Sequence, residues 1–288
     1  MERKVPNLPK RWCARLLILF AAMAWQFLSA PARDIALAAE EAERSAPLTP
    51  DPGCRAPTPE QRSTVILVYH HVRQSLPDGS RIERRLTVTT EMFDQQMRYL
   101  QENGYHVITF ATLIDSLKSG SELPEKSVII SFDDGSEDQF EYALPALEKY
   151  HYRATFFVVA DYVGSPGFLS WLQLQRMRSE GMEIGSHSRS HPHLDKISNP
   201  NVLWDEIYTS KRIIENQLGV TVEEFAYPYG SYDANTVATV RLAGYKAARA
   251  CCVGQVQTDE YALRAVMAPV DLAKFVKYLH PGSPADRN

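Results

Sequence analysis

The sequence predicts an α/β fold in which a largely parallel sheet closes into a single barrel. From residue 65 onward, short β-branched apolar runs alternate with segments of helical periodicity. Roughly seven or eight such units in about 225 residues suit one closed barrel rather than two domains. The chemically interesting residues His70, Asp133, Asp134, His187 and Tyr229 each come just after a strand-like run. In a parallel barrel those positions converge on the C-terminal rim. An open doubly wound sheet fits less well, because no Gly-x-Gly-x-x-Gly phosphate turn follows any strand.

The elements follow in order. Arg3, Lys4, Lys10, Arg11 and Arg15 precede an apolar run from Leu16 to Trp25, extended by Phe27 and Leu28, and then small residues Ala36, Ala38 and Ala39. This is the pattern of a secretory signal over residues 1–38, with an uncleaved N-terminal membrane anchor as the alternative; the run is short for a membrane span. The expected location is therefore periplasmic or extracellular. Residues 39–62, rich in Pro and Glu, read as a linker. An exported compartment permits a disulfide among Cys54, Cys251 and Cys252, but buried thiols fit the vicinal pair as well. The net charge of −4 implies no nucleic-acid surface, and no tail suggests a protein partner.

Val65 to Tyr69 reads as a buried strand leading to His70 and His71. Thr90 is a plausible cap for a helix bearing Phe93, Met97 and Leu100, stopped by Gly104. A short strand at Val107 and Ile108 precedes a helix from Ala111 to Lys118. The strand starting at Val128 runs into Asp133, Asp134 and Gly135. A helix over about 136–150 should kink or restart at Pro145. Ala154 to Val159 is another strand, and Trp171, Leu174 and Met177 mark a helix ending near Gly181. A short apolar segment from Met182 to Gly185 leads to His187. Leu203, Ile207, Ile214 and Leu218 share the face of a helix over about 201–218. A strand and turn over 225–230, a helix over 233–242 capped by Asp233, strands over 246–253 and 263–270, and a helix over 271–279 complete the chain.

The chemistry centres on two stretches. Neighbouring side chains on a strand point to opposite faces, so Asp133 and Asp134 can serve one site only if the strand ends there, as Gly135 allows. Two adjacent carboxylates raise each other's pKa unless a cation lies beside them. His187 and His191 have a spacing suited to a ligand pair on a helical turn or a tight loop. One carboxylate with two imidazoles leaves coordination positions open, which is the make-up of a catalytic metal site. The donor set suits Zn²⁺ and also Co²⁺, Ni²⁺ or Fe²⁺.

Phe132-Asp133-Asp134-Gly135, then His187-Ser188-Arg189-Ser190-His191-Pro192-His193-Leu194, then Tyr227-Pro228-Tyr229-Gly230 resemble the successive motifs of the polysaccharide deacetylases, the NodB-homology or carbohydrate esterase 4 family. The resemblance spans about residues 65–270 and implies a distorted (β/α) barrel of about seven parallel strands within a deacetylase domain over 63–288. It implies Asp134, His187 and His191 as metal ligands, Asp133 as general base toward the metal-activated water, and the Tyr229 backbone N–H as an oxyanion donor. The family commonly draws its acid from a His near the C-terminus, where His280 stands. The Tyr69-His70 pair instead resembles the branch acting on poly-β-1,6-N-acetylglucosamine, and His70 is the preferred acid. His71 and His193 are secondary, and Trp171 is a candidate sugar platform. One position departs from the pattern. Ala226 stands where the family carries an Arg that orients the catalytic Asp, and Arg264 is the candidate substitute.

The resemblance thus implies a hydrolase removing N-acetyl groups from an N-acetylglucosamine polysaccharide, β-1,6-linked by first preference, with peptidoglycan or chitin oligomers next. The alternatives are an O-acetyl esterase on xylan or another acetylated glycan, and a carbohydrate-binding protein without turnover.

Overall fold

A computed structural model describes residues 63–250 and 257–280. The predicted signal and linker, Cys54, Cys251 and Cys252 lie outside the described residues. In chain order the strands are β1 (Val65–Tyr69), β2 (His71–Arg73), β3 (Thr87–Thr89), β4 (His106–Val107), β5 (Ser127–Phe132), β6 (Thr155–Val158), β7 (Glu183–Ser186), β8 (Glu224–Ala226), β9 (Ala247–Arg249) and β10 (Val266–Met267). The helices are α1 (Arg81–Leu86), α2 (Thr90–Glu102), α3 (Phe110–Ser119), α4 (Leu144–Tyr150), α5 (Trp171–Ser179), α6 (Pro200–Trp204), α7 (Ser210–Leu218), α8 (Ala234–Leu242) and α9 (Leu272–Leu279).

The main sheet runs β10-β1-β5-β6-β7-β8-β9, and every pairing in it is parallel. One edge of β5 is shared. β4 pairs with its start, at Ser127 and Val128, and β6 with its end, at Ser131 and Phe132. The curled sheet is bridged at its ends. Leu263 N–H donates to the Ala248 carbonyl at 3.0 Å and Ala250 N–H to the Leu263 carbonyl at 2.9 Å, while Ala268 N–H donates to Val68 at 2.9 Å. The segment from Leu263 to Ala268 thereby joins β9 to β1, giving the distorted barrel expected.

The period of two in a strand decides which residues face inward. Ile66, Val68, Ile129, Phe157, Ala226, Ala247, Leu263 and Ala265 pack in one buried cluster with Phe110, Leu113 and Ile114 of α3. Continuing the same alternation past the cluster reaches His70 after β1, Asp133 after β5 and Arg249 in β9. The opposite face holds Tyr69, Phe132 and Phe156, stacked across neighbouring strands, with Phe93 of α2 edge-on to Tyr69 and Phe132. Gly185 in β7 is required by packing, because a Cβ there would lie 2.5 Å from the Phe157 ring.

Three segments differ from or refine the sequence reading. Periodicity assigns no element between His71 and Thr90, yet the segment folds as β2, α1 and β3, with β2 and β3 paired in parallel. These pieces are too short for periodicity to register, and α1 buries none of its side chains. The helix expected over 136–150 does restart at Pro145: a π-type turn, Gln139–Ala143, leads into α4, which has Pro145 in its first turn. The helix expected over 201–218 starts at Pro200 and is interrupted by a second π-type turn, Asp205–Thr209, between α6 and α7.

Candidate active site

The strand β5 ends at Phe132, and the next two residues turn away from it. Asp133 N–H still continues the ladder, donating to the Tyr69 carbonyl at 2.9 Å. Asp134 then takes left-handed backbone, φ 70°, followed by Gly135 at φ 76°. This break in the alternation lets two consecutive carboxylates face one site. Gln139 secures the break from the π-type turn: its side-chain amide donates to the carbonyls of both His70 and Asp133, at 2.8 and 2.6 Å.

One carboxylate oxygen of Asp134 and one ring nitrogen from each of His187 and His191 lie within 4.8 Å of one another. The two imidazole Nε2 atoms are 3.2 Å apart, and Asp134 Oδ1 is 3.7 Å from His187 Nε2 and 3.4 Å from His191 Nε2. His187 Nδ1 faces the Ala226 carbonyl at 2.7 Å. With the proton on Nδ1, that bond leaves a lone pair on Nε2 toward Asp134 and His191, the tautomer and orientation characteristic of a metal-binding histidine. The donor set therefore fits a divalent ion. Burial and the neighbouring His187 ring hold the His191 pKa down to about 4, which keeps that ring a neutral donor.

Asp133 lies beside this group. It is 5% exposed, and its Oδ2 stands 4.0 Å from both His187 Nε2 and His70 Nε2. Burial alone would raise its pKa. The guanidinium of Arg249, with His187 and His70, outweighs burial and keeps the carboxyl below its ordinary range. Arg249 is itself 1% exposed; its Nη2 bonds Asp133 Oδ1, and its guanidinium carbon lies 5.2 Å from the centre of the Phe157 ring.

Arg249 corrects the expectation placed on Arg264. Arg264 is exposed, and its backbone binds the Gln257 side chain through N–H and carbonyl, at 2.8 and 2.9 Å. The cation at Asp133 comes instead from β9, at the residue that pairs across the sheet with Ala226. The small side chain of Ala226 leaves the barrel interior open to the guanidinium from the adjacent strand. The sequence held a signal for this. A lone arginine in the run Ala247-Ala248-Arg249-Ala250 is a charge inside a strand of small apolar residues, which requires a buried partner.

His70 stands within the barrel mouth, where burial lowers its pKa against the opposing pull of Asp133 and Asp134. His280 is exposed at the C-terminal end of α9, a helix that packs on α2. His71 turns to a separate cluster: its Nδ1 is 2.8 Å from Asp138, which also accepts from Arg73 Nε at 2.9 Å. Tyr229 follows Pro228 in a 3₁₀ turn and has left-handed backbone, φ 60°. Its ring is 60% exposed, stacks on His193 at 3.9 Å and meets His191 edge-on at 4.6 Å. The turn is thus anchored on the ligand loop. Trp171 is half-buried in the first turn of α5.

Known proteins resemble the chain in sequence and in fold. The family model described as polysaccharide deacetylase matches residues 120–248. YxkH of Bacillus subtilis, a protein assigned to the polysaccharide deacetylases, is 30% identical over 203 residues, covering 70% of each chain. The poly-β-1,6-N-acetyl-D-glucosamine N-deacetylase of Staphylococcus epidermidis is 28% identical over 206 residues, covering 64% of this chain and 71% of its own. Among solved structures, the Streptococcus pyogenes deacetylase PplD in complex with acetate superposes with a TM-score of 0.69 at 25% identity, over 76% of this chain and 99% of that one. IcaB from Ammonifex degensii superposes with a TM-score of 0.66 at 25% identity, over 74% and 95%. The motif order, the barrel and these relatives together make the chain a member of the polysaccharide deacetylase family, a hydrolase that acts on acetylated polysaccharide.

Proposed function

We propose that the enzyme is a metal-dependent N-deacetylase of an N-acetylglucosamine polymer, with the β-1,6-linked polysaccharide as the preferred substrate. The observation that carries the reading is a buried carboxylate, Asp133, kept charged by Arg249 and set between a three-ligand group on one side and His70 on the other. Asp134, His187 and His191 would hold the ion, with Zn²⁺ the first choice and Co²⁺, Ni²⁺ or Fe²⁺ compatible with the same donors. When bound, such an ion polarises the acetyl oxygen and acidifies water. The preference for the β-1,6-linked polymer draws support from the name of the Staphylococcus epidermidis relative and from the Tyr69-His70 pair. The basic, apolar and small-residue sequence at residues 3–39 favours an exported enzyme, periplasmic or extracellular.

The chain's own residues have these tasks. Asp133 takes a proton from water as its oxygen attacks the acetyl carbon. The Tyr229 N–H, aimed by Pro228, stabilises the oxyanion that develops on the former carbonyl. His70 gives a proton to the sugar nitrogen as the carbon–nitrogen bond breaks, releasing acetate and a free amine. A lowered pKa makes its protonated ring a stronger donor. Arg249 keeps Asp133 in its basic form and in place.

The test is acetate release from poly-β-1,6-N-acetylglucosamine, chitin oligomers and acetylated xylan, with metal-stripped and reconstituted protein. The expected outcome is turnover of the β-1,6-linked polymer that chelation abolishes and Zn²⁺ or Co²⁺ restores. Asp133→Asn should cut turnover by about a thousandfold while metal content stays intact. Release from xylan alone would favour an O-acetyl esterase, and glycan binding without acetate release would favour a carbohydrate-binding protein.

A further inference from the structure

Between the two imidazole ligands the chain makes a tight loop, Ser188-Arg189-Ser190. The loop begins and ends in left-handed backbone, φ 65° at Ser188 and φ 64° at His191. Such conformations are strained for residues other than glycine and persist where the surroundings over-determine them. Two surfaces do so here. On the β6 side, Ala160 N–H donates to the Ser188 carbonyl at 3.2 Å and Asp161 N–H to the Arg189 carbonyl at 2.9 Å.

On the other side are two side chains of one turn: Asp205 accepts from Arg189 Nη1 at 2.5 Å, and Glu206 holds the loop backbone. Glu206 is 8% exposed and lies in the π-type turn between α6 and α7. Its Oε2 accepts from the backbone N–H groups of Arg189 and Ser190, at 3.1 and 2.9 Å, and its Oε1 accepts from Ser190 Oγ at 2.5 Å. Its own carbonyl also accepts from Arg189 N–H, at 2.9 Å. A buried carboxylate is costly unless satisfied, and this one is satisfied by the loop that spans His187 to His191. Irregular π-type turns within helices frequently occur at functional sites.

We propose that Glu206 is a positioning residue for the metal site: its carboxylate presets the loop so that the Nε2 atoms of His187 and His191 face Asp134 before any ion arrives. This rests on the metal-site reading above. Removing the clamp leaves all three ligands in the chain but forces the ion to order the loop itself, so affinity falls.

The test measures Zn²⁺ affinity rather than activity. Zn²⁺ is titrated against a competing chromophoric chelator into metal-free wild type, Glu206→Gln and Ser190→Ala, with thermal unfolding of each metal-free form alongside. Gln offers one acceptor oxygen where the carboxylate offers two. The expected dissociation constant rises 10- to 100-fold in Glu206→Gln and several-fold in Ser190→Ala, whose hydroxyl supplies one of the bonds. A residue that merely held the fold would lower the unfolding temperature and leave the dissociation constant in place. Constants within twofold of wild type in both variants would overturn the proposal. Should Glu206→Gln fail to fold, Ser190→Ala decides alone by the same criterion. Wild type that fails to bind one Zn²⁺ per chain would overturn the metal-site reading, and this inference with it.

Discussion

Asp133 and Glu224 are two buried carboxylates on the same sheet with opposite fates. Asp133 follows the C-terminal end of β5 at 5% exposure, and Glu224 opens the N-terminal end of β8 at 7%. Burial pushes both pKa values up. At Asp133 a guanidinium and two imidazoles reverse the direction. At Glu224 the nearest charges include Glu183 and Glu223, whose repulsion adds to burial and outweighs Lys246 and Lys211, and the pKa rises to about 8. At similar depth within the barrel, the neighbouring charges decide whether the upward push of burial prevails. The rim uses a buried arginine to keep a carboxylate charged, while the floor of the same barrel favours a protonated acid at neutral pH.

The largest test of the contrast is to remove the arginine. Arg249→Met should leave Asp133 without its cation and lower turnover about a hundredfold in steady-state acetate release. Arg249→Lys should recover part of that loss, because a point charge replaces the charge but not the planar fork. If Arg249→Met retained full activity, the pairing would be structural only.

At the floor the effect should appear in stability. Glu224 has a folded-state pKa above its unfolded value, so the folded state binds the extra proton between pH 4.5 and about 8. Its favourable contribution is complete below about pH 4.5 and is lost as pH rises through about 8. Glu224→Gln removes this dependence. Urea unfolding at pH 5 and pH 8 should therefore show wild type losing about 3 to 4 kcal/mol relative to the variant across the interval. An unchanged difference would mean that Glu224 is charged in the folded protein.

The smallest expected effect lies at Arg264. It is exposed and holds Gln257 through its backbone, so Arg264→Ala should change acetate release by less than about twofold.

How much was legible follows from what kind of contact decided each feature. The strands announced themselves because burial on both faces selects uninterrupted apolar runs, as in Val65 to Tyr69. The groups on the rim were readable because Asp133 with Asp134, and His187 with His191, are close pairs in sequence just past strand ends. Arg249, Gln139 and Glu206 were not identified, since each matters through a partner remote in sequence: Arg249 meets Asp133 from 116 positions away. Glu206 sits three residues after Leu203, on the flank of a stripe otherwise apolar, a faint sign that its carboxylate had to find partners indoors. The π-type turns at 139–143 and 205–209 leave no periodic signature, because each displaces the helical phase for a single turn.

The side-by-side placement of Ala226 and Arg249 has a consequence for how such enzymes are counted. A survey that scores catalytic competence column by column would strike this chain off at position 226 and file it among the inactive relatives. The cation beside Asp133 stands one strand spacing away in the same barrel, and it is found by where a group arrives rather than by where it is written.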